Sequence, residues 1–184
     1  MSKILVDTID TRSGTSNITI GSTNASQITL KSGATLTNFP ANTPAFEANL
    51  GSDQTVSDNT FTKLNINTEV FDTDSKYDTS NYRFTPTVAG KYYVYGSVHG
   101  ETDASQMQLC QGAIYKNGSA YAINIIDFRS NNGLQSNVFV AVTMDLDTDD
   151  YVELYGKIYK GGGSTIRFLS GTTNTFGAYR IIGA

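Results

Sequence analysis

The 184-residue sequence predicts an all-β protein, in which a sandwich or barrel head follows a short N-terminal β-structured segment. Three observations support this fold class. Apolar and polar residues alternate at the period of a strand in several segments of the second part. Clusters of Gly, Asn and Asp separate these segments, and no helical periodicity extends beyond about two turns. Regularly spaced strands without helices indicate packed sheets or a barrel.

Residues 1–44 differ from the rest in composition, since they contain no Tyr or Trp and Phe39 is their only aromatic residue. The phrase Asn17-Ile-Thr-Ile-Gly-Ser22 recurs ten positions later as Gln27-Ile-Thr-Leu-Lys-Ser32. A narrow β unit cannot bury its own apolar face, so three copies wound around one axis are one interpretation. A disordered linker of low hydrophobicity is the alternative. We therefore predict an N-terminal β stalk or attachment segment, residues 1–44, and a head domain, residues 45–184.

In the head, alternating apolar residues mark the core-facing sides of antiparallel strands. The first such set is Tyr92, Val94 and Val98; the second is Val138, Val140, Val142, Met144 and Leu146; the third is Val152, Leu154 and Ile158. The turns predicted between strands are Lys116-Asn-Gly118, Asn131-Asn-Gly133, Asp147-Thr-Asp-Asp150 and Gly161-Gly-Gly163. The Asn-Gly pair is a typical two-residue hairpin, because both residues tolerate positive φ.

Aromatic side chains occupy the opposite, outward faces of these strands. Tyr93, Tyr95, Phe139 and Tyr155 are the members that we predict to form an interface between copies of the chain. Exposed aromatic residues in such numbers indicate a protein–protein surface. The alternative is that they are ordinary exposed aromatics of a β protein.

Composition excludes several classes of partner. The formal net charge is -4 and no two Lys or Arg residues are adjacent, which argues against nucleic acid. No segment approaches the roughly 20 apolar residues of a membrane span. The N-terminus lacks the apolar core of a signal peptide, so we expect synthesis in a cytoplasm without export by such a signal.

The sequence offers little for catalysis, and we predict no enzyme activity, no cofactor and no metal. His99 is the single histidine, and Cys110, the single cysteine, lies in an apolar-flanked strand typical of a core position. Asp145, Asp147 and Asp149 alternate as in a calcium loop. The required Gly and Glu are missing at the sixth and twelfth positions, so a solvated turn is the favoured interpretation.

The head resembles the globular head of complement component one, subunit q, and the related tumour-necrosis-factor domains. The resemblance rests on Tyr77-Asp-Thr-Ser-Asn-Tyr-Arg-Phe-Thr-Pro86 and Ala89-Gly-Lys-Tyr-Tyr-Val94, together with Pro44-Ala-Phe-Glu-Ala48 and Thr175-Phe-Gly-Ala-Tyr179 in the same order. It implies a ten-strand jelly-roll sandwich that assembles as a homotrimer, with both chain ends at one pole. Some members of the family bind calcium near the trimer axis, so the resemblance leaves undecided whether this protein binds an ion at that position.

The N-terminal segment resembles the β-structured connectors of tailed-bacteriophage fibres and spikes, in which phrases like Val6-Asp-Thr-Ile-Asp-Thr-Arg12 precede Ile-Thr repeats. Together the two resemblances imply a virion protein: a trimeric tail-fibre tip or capsid spike that recognises a host surface. Residues 1–44 would then bind other virion proteins. The alternatives are a capsid decoration or cement protein that binds no receptor, and a cellular adhesion or recognition protein.

Strand parity assigns the loops to two poles of the head. The family's architecture places Val88 to Gly90 at the stalk pole, and successive connections alternate between poles. Gly100 to Ser105 and Arg129 to Leu134 are therefore predicted to lie at the opposite pole. The Asn117-Gly118 hairpin and Asp147 to Asp150 are predicted to lie at the stalk pole. The candidate receptor-binding residues on these loops are Glu101, Asp103, Arg129, Asn131 and Asn132, which suit a host-surface glycan or protein. The alternative is that the loops are merely solvated turns.

Overall fold

The structure is a computed structural model that describes residue 32, residues 42–163 and residues 165–181. The chain divides into two units, Met1–Phe39 and Pro40–Ala184. Apart from Ser32 and residues 42–44, the predicted stalk lies outside the described residues, so the division at residue 44 remains a prediction.

The described residues form thirteen strands and no helix, which confirms the all-β class. The strands are β1 Ala45–Leu50, β2 Gln54–Thr55, β3 Thr62–Lys63, β4 Ile66–Asp72, β5 Tyr77–Asp78, β6 Arg83–Phe84, β7 Gly90–Thr102, β8 Met107–Lys116, β9 Ser119–Asp127, β10 Gln135–Leu146, β11 Val152–Lys160, β12 Ile166–Phe168 and β13 Gly171–Arg180. The resemblance implied ten strands. Eight of the thirteen have six or more residues, and the other five, β2, β3, β5, β6 and β12, are pairings of two or three residues, so the strand count depends on which short pairings are included.

Two antiparallel sheets make the sandwich. In sheet A the order is β4-β1-β13-β7-β10, and β12, itself paired with β2, continues alongside β7 beyond the end of β13. In sheet B the order is β9-β8-β11, and β3 and β6 share the other edge of β11 while β5 pairs with β6. The edge strands β9 and β10 lie together, because the side-chain amide of Asn124 donates to the carbonyl of Phe139 over 2.7 Å.

The ladder registers define the two ends of the sandwich, here called the near pole and the far pole. The near pole is the end at which β1 begins: Ala45 pairs with Tyr179, and Tyr179 pairs with Tyr93. The N–H of Ile181 donates to Lys91 O there over 2.8 Å, so both ends of the described head lie at this pole. The connection after β10 also lies at the near pole, because Leu146 pairs with Gly90. The hairpin at Asn117 lies there too, since the N–H of Asn117 donates to the carbonyl of Tyr151 in that connection over 3.0 Å.

The core lies between the sheets, on the faces that sequence alternation predicts. Tyr92, Val94 and Val98 of β7 are fully buried, as are Val152 and Ile158 of β11. Val142, which was predicted with them, is only partly buried. Phe46 stacks on Tyr77 and Phe84 with ring centroids 4.5 Å and 4.7 Å apart, so aromatic packing closes the near-pole end of the core.

Candidate functional site

Three loops meet at the far pole: β7–β8, β9–β10 and β11–β12. The N–H of Thr102 donates to Leu134 O over 2.9 Å, which joins the first loop to the second. The N–H of Gly161 donates to Gln106 O over 2.9 Å, which joins the third loop to the first. Asp103 reinforces that junction by accepting the N–H of Thr165 at Oδ1 over 2.9 Å. The loops therefore form one continuous surface on a rigid sandwich.

The two predicted site residues of the β7–β8 connection are held by neighbouring groups. Glu101 is the last residue but one of β7, and its carboxylate accepts a hydrogen bond from Arg167 of β12 over 3.2 Å. The side chain of Glu101 is only 16% exposed, so this carboxylate serves the ion pair more than the surface. Asp103 is exposed, with one carboxylate oxygen bound to the backbone of Thr165.

The β9–β10 loop carries the other three predicted site residues. The guanidinium of Arg129 is paired with Asp127, and hydrogen bonds from Arg129 lower the pKa of that carboxyl to about 2. The arginine side chain is nevertheless 65% exposed. Asn131 is exposed and its N–H donates to Phe128 O over 2.8 Å, while Asn132 is half-buried. These residues form a compact polar turn rather than free, extended side chains.

Sequence reasoning missed part of this surface. It left the glycine turn Gly161–Gly163 unassigned to a pole, whereas the structure places it beside Gln106 and Gln108. A Cβ added at Gly161 would also come within 3.6 Å of Asn132 Nδ2, so all three loops converge here. No local sequence pattern predicts the approach of the glycine turn to the other two loops, because that approach depends on which strands pair in the sheets.

A second surface covers the outer face of sheet A. Tyr179, Tyr93, Tyr95 and Phe139 follow one another across it, with ring centroids 5.5 Å, 5.9 Å and 6.5 Å apart. Phe139 remains 53% exposed. We call these four residues the aromatic face; it unites three of the four predicted interface residues.

A carboxylate lies within this aromatic face. The hydroxyl of Tyr95 donates to Glu47 Oε2 over 2.7 Å, and the ring lies over Gly177, where any side chain would collide with it. Burial, reinforced by this hydrogen bond, raises the pKa of Tyr95 above its usual range. The phenol is thus a fixed, neutral donor in the middle of the aromatic face.

Tyr155, the fourth predicted interface residue, lies on the opposite side of the sandwich. It belongs to β11 of sheet B and stacks on Tyr115 with ring centroids 3.9 Å apart. Phe61 contacts Tyr115 edge-on at 6.1 Å, and Lys157 Nζ is 4.9 Å from the centre of the Phe61 ring. Strand alternation placed all four tyrosine and phenylalanine side chains outward, but they face outward from two different sheets.

The edge strand β9 adds an apolar ridge beside the aromatic face. Tyr121, Ile123 and Ile125 are each about half exposed, and Ile126 is 37% exposed. Among the described residues β9 has a backbone ladder with β8 alone, and its other edge faces β10, which it contacts through the Asn124 side chain. Exposed apolar edge strands are sites of association between chains.

The groups considered for catalysis are not assembled with one another. His99 faces outward on sheet A, with Nδ1 3.0 Å from Thr173 Oγ1, whereas Cys110 lies in the core. Burial raises the pKa of the Cys110 thiol to about 12, which disfavours the nucleophilic thiolate. No cluster of three His, Cys, Asp or Glu residues suited to a metal ion occurs in the described part of the chain. No helix among the described residues is long and apolar enough to cross a membrane.

The acidic turn Asp147–Asp150 closes on itself at the near pole. Asp150 Oδ2 accepts the N–H of Asp147 over 2.8 Å, and Oδ1 accepts from Asn117 Nδ2 over 2.6 Å. Burial would raise the pKa of Asp150, but these hydrogen bonds and the ion pair with Lys116 outweigh it and lower the pKa. The turn thus fixes the Asn117 hairpin.

Comparison with known proteins identifies the fold. The head is similar to the globular domain of zebrafish complement 1qA, with a TM-score of 0.53 at 13% identity over 75% of this chain and 97% of that one. It is similar to the tumour-necrosis factor Eiger of S. frugiperda, with a TM-score of 0.51 at 10% identity over 76% and 93% of the two chains. It is also similar to murine APRIL, with a TM-score of 0.54 at 13% identity over 74% and 99%.

The sequence itself gives one distant likeness and matches no family profile. It is 27% identical over 128 residues to the phage-like element PBSX protein XkdV of Bacillus subtilis strain 168. That match covers 65% of this chain but 18% of the other protein, so the chain spans about a fifth of the length of this curated relative. The head therefore has the jelly-roll fold of the complement and tumour-necrosis-factor globular domains, and its sequence has a distant relative in a phage-like element.

Proposed function

We propose that this protein is a structural component of a phage-type particle, whose head forms a homotrimer and recognises a host surface through the far pole. The observation that carries the proposal is the combination of a recognition-type jelly-roll head with a distant sequence relative in a phage-like element. Residues 1–44 attach the protein to other virion proteins, and the chain has no catalytic role.

Self-association is supported by two different apolar surfaces on one head. The aromatic face covers sheet A, and the apolar ridge runs along β9, beside one edge of that face. Because the two surfaces are unlike, one copy pairs its ridge with the aromatic face of the next. Such a contact is heterologous, and it closes into a ring when the rotation between copies allows. Three copies around an axis are the ring that we expect.

Recognition is assigned to the far pole because its three loops are fixed to one another and carry mostly polar side chains. Loops on a rigid scaffold are the usual place of binding residues. Asp103, Arg129 and Asn131 are exposed there, with the glycine turn Gly161–Gly163 beside them. The near pole is less suited, since its loops surround the described ends of the head.

A decoration or cement protein without a receptor is the second candidate. The observation that favours it is that two predicted site residues are internally paired, Glu101 with Arg167 and Arg129 with Asp127. Self-contained ion pairs of this kind also occur in loops that only face solvent.

The decisive experiment combines location with adsorption. Particles carrying Arg129→Ala and Asn131→Ala are compared with particles carrying Asp147→Ala and Asp149→Ala at the near pole. We expect the far-pole pair to reduce host adsorption at least about tenfold, which corresponds to about 1.4 kcal/mol of lost binding. The near-pole pair should adsorb like the parent.

Two controls make the outcome decisive. Light scattering should show that both variants keep the oligomeric state of the parent, and electron microscopy of labelled particles should find the protein at a fibre tip or spike. Equal adsorption by all three particles would contradict receptor recognition and favour the decoration protein. If the protein is found on no particle, both candidate functions, receptor recognition and capsid decoration, are contradicted.

A further inference from the structure

A pocket of about 340 Å³ opens at the far pole of sheet A, away from the three loops described above. It lies between the end of β1, the start of β4 and the start of β13. Its lining consists of Asn49, Leu50, Gly51, Thr68, Ser170, Gly171 and Thr172. This volume is within the usual range of small-ligand sites.

Two irregularities of the sheet create the pocket. The ladder between β1 and β13 and the ladder between β1 and β4 both shift register between Asn49 and Leu50. Gly171, the partner of Leu50, has a φ of +101°, a conformation that other residues rarely adopt. A bulge bends its strand and ends regular pairing, so the strands on both sides of β1 separate at this point.

Four of the seven lining residues have uncharged polar side chains, the two glycines and Leu50 add apolar surface, and none of the seven is charged. Asn49 Oδ1 accepts a hydrogen bond from Thr175 Oγ1 over 2.9 Å, and no partner holds the Nδ2 group among the described residues. Thr68 is exposed, and its hydroxyl makes only a long contact of 3.4 Å with Asn67 Oδ1. Leu50, 1% exposed, is the one large apolar side chain of the lining.

We propose that this pocket binds one neutral sugar residue, through Asn49 and Thr68 in particular. A sugar presents several hydroxyls that pair with amide and hydroxyl groups, whereas an ionic ligand needs a countercharge that the lining lacks. The pocket opens at the pole assigned to recognition, and its biological role rests on the function proposed above. Its sugar binding does not.

Saturation-transfer NMR on the full-length protein tests the proposal with methyl glucoside, methyl galactoside, N-acetylglucosamine and glucuronate. We expect transfer to at least one of the neutral sugars and none to glucuronate. Asn49→Asp keeps the acceptor for Thr175 but replaces the free donors with a negative charge. Thr68→Trp fills the opening from an exposed position on an edge strand. Both variants should weaken sugar binding at least about tenfold.

Each variant has a matched control elsewhere. Asn59→Asp repeats the amide-to-acid change at an exposed position in the loop between β2 and β3, and Glu69→Trp places the same large ring at the adjacent exposed position of β4. Both controls should bind sugar like the parent, and thermal melting should show all four variants folded. The proposal is overturned if no neutral sugar gives transfer, or if Asn49→Asp and Thr68→Trp bind as well as their controls.

Host adsorption of the same variants separates this inference from the proposed function. Loss of sugar binding by Asn49→Asp with unchanged adsorption supports the pocket and removes it from host recognition. Loss of adsorption by the Arg129→Ala and Asn131→Ala particles, with sugar binding by the pocket unchanged, supports both the pocket and recognition by the loops.

Discussion

Glu153 is the most deeply buried charged side chain on sheet B, and it is neutralised from two sides. Its Oε1 lies 3.0 Å from Lys63 Nζ and 2.9 Å from Arg83 Nη2, while its own side chain is 3% exposed. Lys63 also donates to the carbonyl of Asn81 over 3.0 Å. The carboxylate therefore ties β11 to β3, β6 and the loop before β6.

Replacing this carboxylate by its neutral isostere tests that role. Glu153→Gln should lower the free energy of unfolding by about 1.5–3 kcal/mol, the range for hydrogen bonds to charged groups, because two cations lose their partner. Lys63 and Arg83 are partly exposed, so water limits the loss. The measurement is urea unfolding followed by circular dichroism at one protein concentration.

The matched control is Asp145→Asn, which breaks the pair with Lys91 at 2.8 Å. Asp145 is 78% exposed, and exposed pairs contribute less than about 1 kcal/mol. A loss for Asp145→Asn as large as that for Glu153→Gln would refute the claim that burial sets the difference.

At the scale of the elements, glycines on the inner faces allow the two sheets to approach. A Cβ at Gly96 would lie 2.6 Å from Leu154 Cδ1, and one at Gly156 would lie 2.6 Å from Phe168 Cζ and 2.7 Å from Val98 Cγ1. Each glycine thus receives a large side chain from the facing sheet. The sandwich is held by interlocking shapes as well as by burial of apolar surface.

Gly156→Ala should therefore destabilise the head by about 1–3 kcal/mol, the cost of overpacking a filled core. Gly163→Ala is the control, because a Cβ at that exposed turn has no neighbour within 4 Å. Denaturant midpoints at equal protein concentration give both values. Equal midpoints for the two variants would show that the core accommodates a methyl group at Gly156 with no loss of stability.

The long strands were predictable from the sequence and the short ones were not. Alternation in β7, β10 and β11 extends over nine or more residues each, and a buried face imposes that pattern locally. The two residues of β3 are a strand only because β11 lies beside them. Pairing of that kind depends on the fold and leaves no period in the sequence.

The candidate surfaces show the same limit. Parity along consecutive strands correctly placed Asp103 and Arg129 at one pole and Asn117 and Asp147 at the other. Parity within a strand cannot say which sheet the strand joins, so Tyr155 was grouped with Tyr93 although they face opposite sides. The pocket beside Asn49 depends on two bulges at one point, which no segment encodes by itself.

At the scale of the whole molecule, the head has two unlike aromatic sides. On sheet A, Phe139 is 53% exposed within the aromatic face, next to the apolar ridge of β9. On sheet B, Tyr115 packs against both Phe61 and Tyr155, and all three rings are partly buried. The ammonium group of Lys157 lies over the Phe61 ring. The sheet B cluster is thus largely satisfied within one chain, whereas the aromatic face leaves apolar area for another copy.

Phe139→Asp and Phe61→Asp put the same charge on the two sides. Because burial of an unpaired charge in an interface is costly, Phe139→Asp should convert the proposed homotrimer to monomers at micromolar concentration, while Phe61→Asp should leave it intact. Light scattering on the full-length protein measures the state, and circular dichroism checks that both variants are folded. Trimers of Phe139→Asp combined with monomers of Phe61→Asp would move the interface to sheet B. A parent protein that is monomeric at micromolar concentration would refute the homotrimer itself, and the aromatic face would then need a different partner.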